Sequence, residues 1–328
     1  MQKTRTVFVM LILCFHYRYI HASSNQLGSC QGQAPFRIGN GSILNSVKFI
    51  HIPKTAGSSL LIDFKDHLVG GDEGCYMLYK KTRGDLFYFI FVRSPRAHVF
   101  SQYKYARELL PASQLIHNMS IGDRFNLLPR SNLAFPVGQN VTSGFAAWLD
   151  HFMRGLQKDG SMTETDSFNY FHPYNYQARV LSRHCSRNTS WEFSPEIQTI
   201  MEMRRSTAVM NELSFVGITE FYEASVCLLR FHLQLHMPIS CTSPNSIDST
   251  MSHVGKSMSF PRSGIPLALW RKVDALTKYD RMLYCAALHR FACAVENFQN
   301  ITGLTLSRVG VSVDWLLDIS SMCLLKNH

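Results

Sequence analysis

Apolar residues along this chain fall into short saturated runs and longer helical stripes. Val47, Phe49, Ile50 and Ile52 open a run of β-branched and aromatic side chains, the content of a strand buried on both faces. Pro53 ends that run, because it lacks the N–H a ladder needs. Leu86 to Val92, LFYFIFV, forms a second such run and Phe215 to Ile218 a third. Between them the spacing turns helical. Leu60, Leu61, Phe64 and Leu68 make one stripe over Ser58 to Leu68, leaving Ser59, Asp63 and His67 on another face at four-residue spacing. Further helices are expected near Gly144 to Gly155, Tyr174 to Arg183, Pro195 to Asn211 and Glu220 to His236, with a long last one ending near Gln299. Pro111 to Ser143 has no clean periodicity and reads as a surface loop. Met237 to Ser263, rich in Pro, Ser and Asn, reads as a connection. The alternation predicts an α/β fold, a mostly parallel central sheet flanked by helices.

The end of the first run carries the chemistry. VKFIHIPKTAGSS passes from strand to a loop holding Lys54, Thr55, Ala56, Gly57, Ser58 and Ser59, then enters a helix. Gly57 lets the backbone approach a ligand, Ser58 and Ser59 add hydroxyls at a helix N-terminus, and Lys54 adds a point charge. The lysine precedes the glycine, so the segment is not a Walker A loop and an ordinary ATP or GTP site is disfavoured. In a purely structural role the same residues would be a common strand-loop-helix turn. The second run weighs against that reading. LFYFIFVRSPRAHVFSQY releases Arg93, Ser94, Pro95 and Arg96 at its end and carries Ser101 on the following helix. Ligands of open α/β sheets bind at the carboxyl ends of strands. Two such ends suit a ligand with two separated anionic groups.

This pair of segments resembles the two nucleotide motifs of the sulfotransferases that use 3′-phosphoadenosine-5′-phosphosulfate (PAPS). It is most similar to those of the Golgi carbohydrate sulfotransferases, the group containing the heparan sulfate 2-O- and 6-O-sulfotransferases. HIPKTAGSS looks like the 5′-phosphosulfate loop and VRSPRxxxxS like the 3′-phosphate motif. NYQARVL at 175 to 181, FVGITEFYEASVCLL at 215 to 229, the basic loop His253 to Lys256 and DRMLYCAALHRF at 280 to 291 resemble further family segments, so the likeness spans roughly residues 47 to 298.

The resemblance implies a nucleotide-kinase-like, P-loop-like PAPS sulfotransferase domain over residues 47–300. It implies that Lys54, Thr55, Ala56, Gly57, Ser58 and Ser59 wrap the 5′-phosphosulfate and that Arg93 and Ser101 bind the 3′-phosphate. Thr219 would approach the adenine, Lys256 would close over the phosphates, and Gln177 and Arg179 would lie near the acceptor groove. Lys54 would stabilise the departing oxygen. Because a sulfuryl group carries less negative charge than a phosphoryl group, no magnesium clamp or other metal is expected. The 6-O-sulfotransferases carry a histidine base nine residues after the loop lysine, where this chain has Asp63. Either Asp63 takes the acceptor proton, or His67 takes it while Asp63 orients the imidazole; a base elsewhere, such as His172, is the third arrangement. A catalytically inactive glycan-binding relative and a nucleotide-dependent phosphotransferase are the competing functions.

The start of the chain and its charge fit a lumenal protein. Lys3 and Arg5, nine apolar residues from Val7 to Phe15, and Ala22-Ser23-Ser24 resemble a secretory signal over residues 1–22, or a short signal anchor, followed by an N-terminal segment over 23–46. Nine apolar residues are too few to span a bilayer. Asn-x-Ser/Thr sequons stand at Asn40, Asn118, Asn140, Asn188 and Asn300. Beyond Cys14 there are eight cysteines, an even number suited to disulfides, with no zinc-site spacing among them. The 328-residue chain has a formal charge of +10, which falls to +7 when Lys3, Arg5 and Arg18 go with residues 1–22. Such an excess favours an anionic partner. No nucleic-acid-binding signature accompanies it, so an acidic glycan or polysaccharide is the expected acceptor, in the Golgi lumen as a soluble or anchored protein, or outside the cell. Residues 301–328 match nothing in the family pattern and form a tail of unassigned role.

Overall fold

Six consecutive buried residues, Phe87–Val92 (β2), form the middle strand of a three-stranded sheet. The computed structural model describes residues 47–65, 67–68, 86–104, 141–158, 172–182, 200–238, 241, 264–304 and 306. Val47–Phe49 (β1) and Phe215–Ile218 (β3) flank β2, and both pairings are parallel, with Val47 opposite Phe87 and Phe89 opposite Phe215. A strand with neighbours on both edges and helices on both faces has no wet side, which is why FYFIFV needs no polar alternation. The α/β class and parallel sheet expected from the runs are present in this small sheet. Ile50 and Ile52 are buried but leave the ladder; only the Ile50 amide still donates to Phe89 O, at 3.0 Å.

The helices are Gly57–Asp63 (α1), residues 95–104 (α2), Val141–Met153 (α3), Tyr176–Ser182 (α4), Ile200–Glu212 (α5), Tyr222–His232 (α6), Leu267–Leu276 (α7) and Lys278–Thr302 (α8). Several bounds differ from the expected ones. α1 ends at Asp63, and the chain turns at Phe64, so His67 does not continue its face. α3 begins at Val141, inside the expected loop. α6 begins after a 3-10 turn, Thr219–Phe221. α8 ends in a left-handed Gly303 whose amide donates to Gln299 O at 2.8 Å. The signal segment, the 23–46 segment, loop residues 111–140, Lys256 with most of the 237–263 connection, and residues 307–328 lie outside the described residues. No helix among the described residues is long and apolar enough to cross a membrane.

Two apolar clusters hold these elements. One packs the sheet against α1, α4, α6 and α8. The other is aromatic and joins Phe100 and Tyr103 of α2 to Phe145, Trp148 and Phe152 of α3 and to Val273 and Leu276 of α7. A disulfide, Cys227–Cys241, ties α6 to the chain beyond it, and closing a loop of this length contributes about 3 kcal/mol. Cys285 and Cys293 are also disulfide-bonded. They stand about 12 Å apart along α8, too far to bridge each other.

α4 and α8 cap each other. Asn175 precedes α4, yet its Oδ1 accepts from the amides of Tyr279 and Asp280 in the first turn of α8, at 2.8 and 3.4 Å. Asp280 reciprocates, its Oδ1 accepting from Ala178 N at 2.8 Å. Thr277 gives α8 no side-chain cap of its own, so its start leans on Asn175 as the start of α4 leans on Asp280. Burial pushes the Asp280 carboxyl up to about 7 from 3.8, against the opposing pull of the α4 amides and Arg179. A carboxyl raised in the folded state contributes stability that is complete below its unfolded value and lost as pH rises through its folded one. Buried histidines act in the opposite sense, so the comparison is with Asp280→Asn. Wild type should lose melting temperature relative to that variant between about pH 4 and 7; a flat difference across this window would exclude a neutral carboxyl at Asp280.

Candidate functional site

The first loop owes its shape to backbone handedness. Lys54 and Ala56 both have positive φ, 68° and 73°, while Thr55 between them does not. The alternating hands fold the chain into a tight turn just before α1, with the Thr55 amide used inside it. Thr55 is fully buried and locks the turn, its amide and hydroxyl both donating to Ile52 O at 3.3 and 2.7 Å. Ser58 is exposed and Ser59 buried. Gly57 has a different reason from the one its sequence suggests. A Cβ there would stand 1.9 Å from His51 Nε2, so the glycine is required by the packed imidazole. Burial, and then the Lys54 charge, lower that imidazole to about 4.

The second motif meets the first. Arg93 leaves the end of β2 and its Nη1 donates to Lys54 O at 3.2 Å. Burial lowers its guanidinium below the ordinary value, opposed by the Glu220 carboxylate. Glu220 accepts from Ser94 N at 2.9 Å and from the Tyr284 hydroxyl at 3.1 Å. Pro95 opens α2 at a position where a missing N–H costs nothing. Arg96 points elsewhere, forking onto both Asp274 oxygens of α7 at 2.8 and 2.6 Å with its guanidinium over Trp270. Ser101, two turns into α2, is buried.

The third strand end adds Thr219, whose Oγ1 is buried without a hydrogen-bond partner. Three residues later the Tyr222 hydroxyl donates to Asp63 Oδ2 at 2.6 Å, a charge-assisted distance. Burial, then Asp63, raise that phenol above its ordinary value. Arg230 of α6 donates to Asp63 O at 3.3 Å and lies over the Phe64 ring, so the end of α1 is fixed from α6. His67 is half-buried in the turn that follows.

Gln177 and Arg179 do not line an open groove; both are buried. Gln177 brackets the Arg93 backbone, Oε1 accepting from Arg93 N at 2.9 Å and Nε2 donating to Arg93 O at 2.8 Å. Arg179 donates to Tyr174 O at 3.1 Å. His172 is a core residue, stacked edge-on to Phe152 with Nδ1 accepting from Tyr174 N, and burial lowers it well below its usual value. Lys256 lies outside the described residues.

Lys54, Arg93 and Thr219 therefore stand at the same edge of three adjacent strands, with Asp63 at the far end of the helix leaving the loop. Sequence reasoning passed over His51, His98, Glu220 and Tyr222. Each sits within a few residues of a motif, but only the fold brings His98 to Pro53 or Tyr222 to Asp63. Among the described residues no three His, Cys, Asp or Glu side chains gather as a metal site would require. The chain matches no protein-family model, and a search of curated proteins finds no match either.

The Gly57 contact gives a test independent of any activity. Gly57→Ala should cost about 1–3 kcal/mol, the scale of overpacking a filled site. The cost should largely vanish in a His51→Ala background, read from a double-mutant melting cycle. Equal costs in the two backgrounds would mean that the imidazole does not set the glycine.

Proposed function

We propose that this chain is a PAPS-dependent carbohydrate sulfotransferase of the secretory pathway, acting on a hydroxyl of an anionic glycan, with the nucleotide-kinase-like fold of such enzymes. The observation that carries the reading is the junction of two basic motifs at neighbouring strand ends, where Arg93 Nη1 bonds Lys54 O. Two linked anion sites suit a nucleotide with a 5′-phosphosulfate and a 3′-phosphate. The unpartnered Thr219 hydroxyl supports the fit, offering a polar contact at the third strand end. The Cys227–Cys241 disulfide supports an oxidising compartment. The mature charge of +7 supports an acidic acceptor.

PAPS supplies an electrophilic sulfur, whose bond to the 5′-phosphate oxygen breaks, the electron pair leaving with the nucleotide, as the acceptor oxygen bonds to it. Lys54 meets the negative charge on the departing oxygen, and the turn at 54–56, locked by Thr55, arrives already shaped, so little reorganisation accompanies the charge. Arg93 holds the 3′-phosphate before and after transfer. Asp63 takes the acceptor proton. The Tyr222 bond occupies one carboxylate oxygen and leaves the carboxylate fixed in direction.

Titration of the purified chain with 3′-phosphoadenosine-5′-phosphate (PAP) and with ATP plus magnesium tests the nucleotide. Preference for ATP would sink the assignment, and PAP binding without sulfate transfer to any desulfated glycosaminoglycan or galactan would mark an inactive relative. Lys54→Ala should lower kcat by roughly 10²-fold or more with a smaller loss of PAP affinity, the scale of one lost electrostatic donor. Arg93→Ala should act mainly on PAPS binding. Full turnover in Lys54→Ala at saturating PAPS would contradict the role of the first loop.

The base has its own test. Asp63→Asn should abolish transfer and leave PAP affinity nearly intact, while His67→Ala should be much milder, because His67 lies past the end of α1. The opposite ranking in kcat would transfer the role to His67, and two fully active variants would exclude both.

A further inference from the structure

His98 lies three residues before Ser101 on α2 and is wholly buried. Its Nε2 is 2.8 Å from Pro53 O, the carbonyl just before Lys54. A carbonyl only accepts, so Nε2 carries the hydrogen, and Nδ1 is left to accept from Gln102 Nε2 at 3.3 Å. With both nitrogens engaged the ring cannot turn. Burial, and then the Arg93 and Lys54 charges, hold it near 3 against the pull of the Pro53 carbonyl, so it stays neutral at working pH and is no base for the acceptor.

The tie falls at a strained point. Lys54 holds a left-handed backbone that an L side chain rarely adopts, and such a conformation persists only where its surroundings over-determine it. Two successive carbonyls there are gripped by the second motif: Pro53 O by His98 and Lys54 O by Arg93. Arg93 has a ligand to bind as well; His98 otherwise only packs, its ring against Tyr176.

We propose that His98 is a positioning residue that holds Lys54 in register with the second anion site, through its Nε2–H bond to the Pro53 carbonyl. The inference rests on the transferase reading and deepens it. The tether fixes the lysine where charge develops on the departing oxygen. Its loss should therefore act on turnover more than on nucleotide binding.

The test compares two polar replacements of similar size in the full chain. The Gln amide reaches about as far as Nε2 and keeps the donor, whereas the Asn amide stops near the Nδ1 position. His98→Asn should lower kcat by about 10- to 100-fold, the range for a displaced catalytic group, with PAP affinity within about threefold of wild type. His98→Gln should recover most of the turnover. Nitrogen chemical shifts of the wild-type imidazole should show the Nε2–H tautomer unchanged from pH 5 to 8. A titrating ring, equal turnover in the two variants, or PAP affinity falling in step with kcat would overturn the tether. If His98→Asn does not fold, His98→Gln is read with the imidazole spectrum: recovered turnover together with a fixed Nε2–H tautomer supports the tether, and lost turnover in His98→Gln or a titrating ring overturns it. A wild-type chain that transfers no sulfuryl group overturns the transferase reading instead, and the imidazole spectrum then still reports whether the bond to Pro53 exists.

Discussion

A parallel strand that stops inside a protein leaves backbone groups facing neighbours that have already diverged, and buried peptide groups without partners are costly. β2 meets that constraint at Arg93. Beyond Val92 neither β1 nor β3 continues the ladder, and the Gln177 side chain takes over, accepting from the Arg93 amide and donating to its carbonyl. The amide of one side chain thus stands in for a fourth strand at one residue. Because Gln177 lies in the first turn of α4, and the next residue, Ala178, donates its amide to Asp280, the position of Arg93 is tied to the first turn of α8. The guanidinium then reaches back to the first loop. The site hangs on this chain of caps more than on the sheet itself.

Charge at the strand ends follows the same economy. Burial and the Lys54 charge keep the His51 imidazole neutral, and burial with the Arg93 and Lys54 charges does the same for His98. Among these four groups the positive charge therefore sits on the lysine and the arginine. Glu220 tempers it while holding the Ser94 amide at the entrance to α2.

How much of this was legible in the sequence depended on how local the cause was. FYFIFV in β2 and FVGI in β3 announce buried strands by composition, and the stripe Leu283, Leu288, Phe291, Val295 and Phe298 makes α8 plain. The basic motifs were legible for the same reason, since Arg93 directly follows β2 and Lys54 follows the apolar run that opens with β1. The end of α1 was not. Apolar Phe64 and Leu68 continue a helical spacing, and both are buried, yet they are reached through a turn. Periodicity reports which residues are buried and not whether the backbone stays helical between them. Left-handed φ at Lys54 and Ala56 was equally hidden, because the visible glycine drew the conformational argument to Gly57 while the need there is space for His51. Gln177 and Arg179 were legible only through the family-like segment that holds them; their burial follows from partners more than 80 positions away for Gln177 and from the wall formed by α8.

The division into two apolar clusters has a bearing on how the protein fails. α2 belongs by packing to the aromatic cluster, through Phe100, Tyr103 and the Tyr103 hydroxyl on Val141 O, yet its motif serves the sheet. Regions with separate cores open as separate cooperative units. Opening of the aromatic unit would carry away the helix that bears His98 and Ser101 while β1, β2 and β3 stay paired around their own core. Heat or denaturant would then remove α2 at a stage where the sheet and α8 are still folded. Its working lifetime would be set by the looser of its two halves.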